Sequence, residues 1–203
     1  MVLRIGVIGT GMMGCEHIRN INANPQAVVT AISDPHEEPL VWARNALGAD
    51  NSVAEFRDHR ELLQSGEVDA VIIASPNFTH HYLLQDVLST DIPVLVEKPM
   101  CTTVSDCLDV VNLAQQRSAL TWVGLEYRYM APISRMLEAV RSGELGELKM
   151  ISIREHRFPF LQKVNNWNRF SRNTGGTLVE KCCHLDRKST RLNSSHTDIS
   201  RMP

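Results

Sequence analysis

Five short apolar runs constrain this chain more than any other feature. "LRIGVI", "AVVTAIS", "DAVIIAS", "PVLVE" and "LTWVGL" are rich in Val and Ile and hold few polar positions. Runs this short do not make helices, and a strand reads as nearly continuous apolar text only when both of its faces are buried. Between them lie stretches with a helical period: "MMGCEHIRNINAN", "EEPLVWARNALG", "DHRELLQSG", "HHYLLQDVLST" and "VSDCLDVVNLAQQRSA". Several close on Gly or Asn, or just before a Pro, where helices stop. The alternation predicts βαβ units and an α/β fold over residues 1–124, a doubly wound parallel sheet with helices on both faces.

The pattern changes after Gly124. "MAPISRMLEAVRSGELGE" predicts a helix with Pro132 in its first turn and Gly143 near its end. "ELKMISIREHRF" sets Leu148, Met150, Ile151 and Ile153 among polar residues, as in a strand with one wet face. Residues 125–185 therefore read as the incomplete start of a second, α+β open-sheet domain. The text after Leu185 has no apolar pattern.

A net charge of −2 argues against an electrostatic hold on nucleic acid, which needs basic patches. No apolar run reaches the ~18 residues of a membrane span, and "MVLRIGVIG" is too short and too glycine-rich for a signal peptide. The five cysteines, Cys15, Cys101, Cys107, Cys182 and Cys183, include no CxxC pair, and vicinal Cys182 and Cys183 do not easily bridge. Reduced thiols in a cytoplasmic protein are expected.

"IGVIGTGMMG" places Gly9, Gly11 and Gly14 in GxGxxG spacing, after a buried strand and at the opening of a helix, with Thr10, Met12 and Met13 between them. Gly9 allows a tight turn, Gly11 lets backbone approach a pyrophosphate, and Gly14 lets helix and strand pack closely. The helix amino end adds unpaired N–H groups and partial positive charge. Glycine turns also occur for structural reasons alone, but Asp34 strengthens the cofactor reading. It ends the second strand, twenty positions after Gly14, where a carboxylate accepts from a ribose 2′-OH and repels a 2′-phosphate. As a bare residue before Pro35 it would be a turn former. Strand, loop, helix and acid in order predict dinucleotide binding, NAD over NADP.

"ASPNFTHH" follows another buried strand, at the carboxyl edge where open sheets hold ligands. Ser75, Asn77 and His80 are candidates for the nicotinamide half of the pocket. For Asn77 and His80 a turn and helix cap is the competing reading, and His81 reads as a solvated first-turn residue. "VLVEKPM" brings Glu97 and Lys98 to the same edge, though a lysine at a strand end is often only a solvated charge. Glu180 and His184 stand at i and i+4, so on a helix they share a face. A carboxylate beside an imidazole raises its pKa and fixes its tautomer, which suits a general base; the competing reading is an idle surface pair. Cys182, Cys183 and His184 point in different directions on a helix and have no second ligand cluster, so no metal is expected.

With these segments in hand, the chain resembles the Gfo/Idh/MocA oxidoreductases, a family that includes inositol 2-dehydrogenase. The matching stretches are "GTGMMG", "SPNFTHH", "EKP", "EYRYMAP" and "GGTLVEKCCH", in family order across Met1–Leu185. The resemblance implies that Lys98 touches the nicotinamide ribose and the substrate hydroxyl, that a cis bond precedes Pro99, and that Arg128 borders the substrate. The late motif GGxxxDxxxH reads here as Gly175, Gly176, Glu180 and His184, with glutamate where aspartate is usual. Oxidation of a secondary alcohol on a sugar or polyol follows, with His184 as base and Lys98 as hydrogen-bond donor, though either could be the group that takes the proton. Trp167 and Arg169 are candidates to stack on or clamp the sugar. Homo-oligomerisation through the second-domain sheet is expected of the full-length protein. Two alternatives stay open: a dinucleotide-binding regulator without chemistry, and a reductase of another carbonyl, an imine or a dihydrodiol.

The closing text, residues 186–203, resembles the translation of a sequencing adapter: "DRKSTRLNSSH", Asp186–His196, follows one specific short-read adapter string. A natural polar tail is the alternative. On the adapter reading, native sequence stops near Leu185, and turnover by this chain is expected to be weak or absent.

Overall fold

The computed structural model describes residues 2–48, 52–147, 149–150, 152 and 163–192. Six strands form one parallel sheet: β1 (Leu3–Ile8), β2 (Ala27–Ser33), β3 (Ala54–Phe56), β4 (Ala70–Ile73), β5 (Val94–Glu97) and β6 (Thr121–Gly124). Their order is β3-β2-β1-β4-β5-β6. All five apolar runs are strands of this sheet. The addition is β3, an edge strand of three residues, "AEF", held by pairing to Ala31–Ser33. It is too short and too polar to signal itself.

The helices α1 (Met12–Asn22), α2 (Glu37–Leu47), α3 (His59–Gln64), α4 (His80–Leu88) and α5 (Val104–Gln115) connect the strands. Side-chain alternation along the strands feeds two cores. Ile5, Val7, Val29 and Ile32 pack with Ile18 and Ile21 of α1 and Leu40 and Ala43 of α2. Val71, Ile73, Val94 and Val96 pack with Leu62 of α3, Leu83, Leu84 and Val87 of α4, and Val110 of α5. Both faces of the sheet are therefore dry, which is why its strands read as unbroken apolar text. Among the described residues, side-chain caps start α3 and α5. Asp58 accepts from the Arg60 N–H at 2.8 Å, and Thr103 from the Asp106 N–H at 3.1 Å.

Because β1 lies between β2 and β4, the connections leaving β1 and β4 go to opposite faces, and their carboxyl ends open a crevice. The second lobe begins with α6 (Ala131–Arg141), with Pro132 in its first turn and Gly143 just past its end at φ 78°. Val164–Arg169 forms tight 3-10 turns in which Asn165 and Asn166 take positive φ (52° and 50°), a conformation asparagine tolerates. Then come α7 (Ser171–Thr174) and α8 (Thr177–Leu192). The strand expected over "ELKMISIREHRF" falls mostly on residues outside the described ones, as does the sheet face expected to pair subunits.

The stretch after Leu185, read as text without an apolar pattern, is helical as far as Leu192, where α8 ends. Asp186–Leu192 holds no Gly or Pro, and a helix already nucleated propagates through such residues without an apolar face. Among the described residues no helix is long and apolar enough to cross a membrane, and no His, Cys, Asp and Glu group could hold a metal ion.

Candidate active site

The crevice widens into a cleft of about 1380 Å³ that joins the glycine loop to the second lobe. Each glycine of the loop does a different job. Gly9 turns the chain at φ 87°, and a Cβ there would fall 2.6 Å from the Ser75 backbone. A Cβ on Gly14 would meet the Gly9 carbonyl oxygen at 2.1 Å, so α1 can lie on β1 only without one. Gly11 faces open space within 4 Å and is the N-cap of α1 without a side-chain cap. The first N–H groups of α1 therefore stay available to an anion beside a stretch of bare backbone. This arrangement fits a dinucleotide pyrophosphate. Met12 and Met13 line the mouth, while Thr10 is buried behind it.

Asp34 directly follows β2 on the cleft wall and is 7% exposed. Its Oδ2 accepts from the Thr10 N–H at 2.9 Å, and Oδ1 from the His36 N–H at 3.0 Å. The carboxylate is thus tied to the loop that would hold the phosphates. The guanidinium groups on that wall are engaged: Arg57 pairs with Glu37, and Arg60 with Asp86 at 2.9 Å.

Beyond β4, Ser75 and Asn77 line the cleft. The Asn77 Nδ2 is sealed from solvent and lacks a hydrogen-bond partner among the described residues, a cost that a ligand's acceptor would remove. His80 does not reach the cleft. It is fully buried, with Nδ1 2.8 Å from the Pro99 carbonyl and Nε2 3.1 Å from the Ser75 carbonyl. Burial pushes its pKa down, against both carbonyl contacts. It ties the β4 loop to the turn after β5. His81, expected to be solvated, pairs with Asp109 at 2.7 Å.

That turn presents Lys98, and the Lys98–Pro99 bond is cis, as the resemblance implied. Glu97 is buried; burial alone would raise its carboxyl, but His17 Nε2 at 2.8 Å and the Lys98 N–H at 3.2 Å outweigh it and hold it below the ordinary range. Lys98 Nζ donates to the Glu180 carbonyl oxygen at 3.4 Å, so the lysine at the end of β5 touches α8. Gly175, at φ 78°, seats the start of this helix: a Cβ there would lie 2.8 Å from the Thr102 carbonyl oxygen.

Glu180 and His184 both line the cleft and are buried. Each has further described contacts. The Glu180 carboxylate lies 3.1 Å from Lys181 Nζ, while His184 Nε2 lies 3.6 Å from Glu126 Oε1 and its ring stacks on Tyr127, with centroids 4.0 Å apart. Partial burial and repulsion from Glu97 hold the Glu126 carboxyl above the ordinary range. Lys163 also lines the cleft, its pKa lowered by burial and by Lys181. Glu126 and Tyr127 sit inside "EYRYMAP", from which only Arg128 was expected to act; Arg128 is half-buried and does not line the cleft. Lys163 had no signal in the sequence. Trp167 lines the cleft and meets Phe78 edge to face, whereas Arg169 is exposed and off the wall.

Comparison with known proteins gives the family of the fold. Residues 3–125 match the family model described as "Oxidoreductase family, NAD-binding Rossmann fold", and residues 137–186 match that family's C-terminal alpha/beta domain. Inositol 2-dehydrogenase 1 of Paenarthrobacter aurescens (strain TC1) is 36% identical over 160 residues, 77% of this chain and 46% of that protein. The rhizopine catabolism protein MocA of Rhizobium meliloti is 27% identical over 149 residues, 73% of this chain and 45% of that protein. A crystal structure of myo-inositol dehydrogenase from Lactobacillus casei in complex with NAD(H) and myo-inositol superposes with a TM-score of 0.67 at 32% identity. It covers 72% of this chain and 43% of that one. The chain spans about half the length of the curated relatives it matches. With the nucleotide-binding model matching more than half of its residues and the second-domain model following in order, the chain belongs to the Gfo/Idh/MocA oxidoreductase family, and residues 3–125 are that family's NAD-binding Rossmann fold.

Proposed function

We propose that the protein of which this chain forms part is an NAD-dependent dehydrogenase that oxidises a secondary alcohol of a sugar or polyol, inositol-like in class. The observation that carries the reading is that Lys98, Glu180 and His184 line the same cleft as Gly9, Gly11 and Asp34. The inositol dehydrogenase names of its relatives support the substrate class. When bound, the nicotinamide supplies the hydride acceptor. His184 removes the hydroxyl proton, and the Lys98 ammonium donates to the oxygen as negative charge develops on it. The contact from Lys98 to the Glu180 carbonyl keeps that ammonium beside α8, where the base stands. Trp167 offers an apolar face to the ring of a polyol.

Preference for NAD over NADP rests on the buried Asp34 carboxylate, which repels a 2′-phosphate, and on the ion pairs that already engage Arg57 and Arg60. Residues 186–203 are proposed to lie outside the family's own sequence; the second-domain match ends at residue 186. Turnover by this chain is accordingly proposed to be weak.

Trp42 and Trp167 both line the cleft, so quenching of tryptophan fluorescence reports cofactor binding. NAD is expected to bind more tightly than NADP. A chain with its second domain completed is then screened against inositols and aldoses for formation of reduced nicotinamide. No turnover with any of them would sink the dehydrogenase reading, and equal rates from the present chain would remove the claim that it is weakly active.

A further inference from the structure

Oxidation of an alcohol releases one proton for each hydride transferred, and a base that keeps its proton cannot act again. His184 is poorly placed to shed one unaided. Both of its ring nitrogens are sealed from solvent, and Tyr127 is stacked on the ring with an interplanar angle of 9°, so the imidazole cannot swing outward without losing that contact. Its proton must leave through a neighbour.

Three carboxylates stand nearby. Glu180, on the same helix, is directed at Lys181, and its side chain is 12% exposed. Glu97 is held by His17, and its side chain is 10% exposed. Glu126 differs from both: Oε1 is 3.6 Å from His184 Nε2, and the side chain is 55% exposed. Of the three, it is the one with a described contact to the ring and an open route to water.

We propose that Glu126 is the proton outlet of His184. The inference rests on His184 acting as the base. The substrate O–H bond breaks as an N–H bond forms on the imidazole. The N–H bond at Nε2 then breaks as an O–H bond forms on Glu126, which passes the proton to water; no electrons move in this relay. A separation of 3.6 Å exceeds hydrogen-bond length, and a half-exposed carboxylate can close it by rotation or through one water. The raised Glu126 carboxyl narrows the gap to an imidazole and makes the transfer less uphill. The other charged groups facing this pair are Lys98 and Glu97 at the end of β5, His17 on α1, Lys163, and Glu180 and Lys181 on α8.

The test is NMR titration of the intact chain, following the Glu126 carboxyl carbon and the His184 ring protons. In the unaltered protein, the Glu126 curve is expected to show a second inflection at the His184 midpoint. Glu126→Gln is expected to move the His184 midpoint to lower pH, further than Glu180→Gln does, with Glu126→Asp in between. Independent curves in the unaltered protein overturn the proposal, and so does a His184 midpoint that Glu126→Gln leaves in place or that Glu180→Gln moves more. The first reading needs no variant, so it stands even if a substitution disturbs folding. None of these outcomes bears on whether the completed protein oxidises a polyol, which is read separately by cofactor reduction.

Discussion

Gly11 and Gly14 lie three residues apart in one motif, yet the same methyl group should do opposite things at each. In Gly14→Ala the new Cβ would sit 2.1 Å from the Gly9 carbonyl oxygen and 3.0 Å from its carbon, so backbone must move by ~1 Å. Overpacking of this kind costs about 1–3 kcal/mol, at the high end when the obstacle is backbone rather than a flexible side chain. Helix propensity returns about 1 kcal/mol, because alanine replaces glycine inside α1. The expected net loss is about 2 kcal/mol, or roughly 4–8 °C in Tm for a chain of this size. Gly11→Ala meets nothing within 4 Å and holds an N-cap position at φ −66°, which alanine adopts freely. Its Tm should fall by no more than about 2 °C. The methyl instead occupies the approach of the pyrophosphate, and the NAD dissociation constant should rise about tenfold or more, about 1.4 kcal/mol. Thermal denaturation of both variants with and without NAD separates the effects. Gly11→Ala melting near the parent temperature with a smaller NAD-induced rise than the parent, and Gly14→Ala melting early, is the expected pattern. A Gly14→Ala protein as stable as the parent, or a Gly11→Ala protein with the parent's NAD shift, would refute the division of labour.

Other consequences are as open to measurement. Thr103→Ala removes the cap of α5 and should cost about 1 kcal/mol in urea denaturation without altering NAD affinity. Burial pushes the Cys101 thiol up to about 12 and raises that of buried Cys15, so neither should be alkylated in the native protein at mildly alkaline pH; early modification of Cys101 by peptide mass spectrometry would contradict this. The folded Glu97 carboxyl lies below its unfolded value, so its stabilisation is present above the ordinary glutamate range and is lost as pH falls through the folded value. Glu97→Gln should therefore flatten the acid limb of the stability profile, measured as denaturation midpoint against pH.

The sheet was legible because burial on both faces leaves little choice of residue, and each of the five apolar runs became a strand. β3 escaped because three residues at an edge, paired on one side, need no apolar run. The glycine loop was legible in the structural duties of Gly9 and Gly14, since each is a close approach that a Cβ forbids. His80 was ambiguous for a physical reason: an imidazole that bridges two carbonyls and one that faces a cofactor look alike in one dimension. Glu126 near His184 was not legible because it arrives from the turn after β6 by tertiary contact, which helical spacing cannot signal. Helix propagation through Asp186–Leu192 likewise needed no apolar signal.

The bare backbone at Gly175 works as a spacer gauge. Since its missing methyl lets the second lobe settle against the Thr102 carbonyl, the width of the gap between Lys98 and the helix bearing His184 depends on a residue that has no side chain of its own. A chain could keep every reactive group and its grip on the dinucleotide, yet fall silent because one hydrogen there had become a carbon.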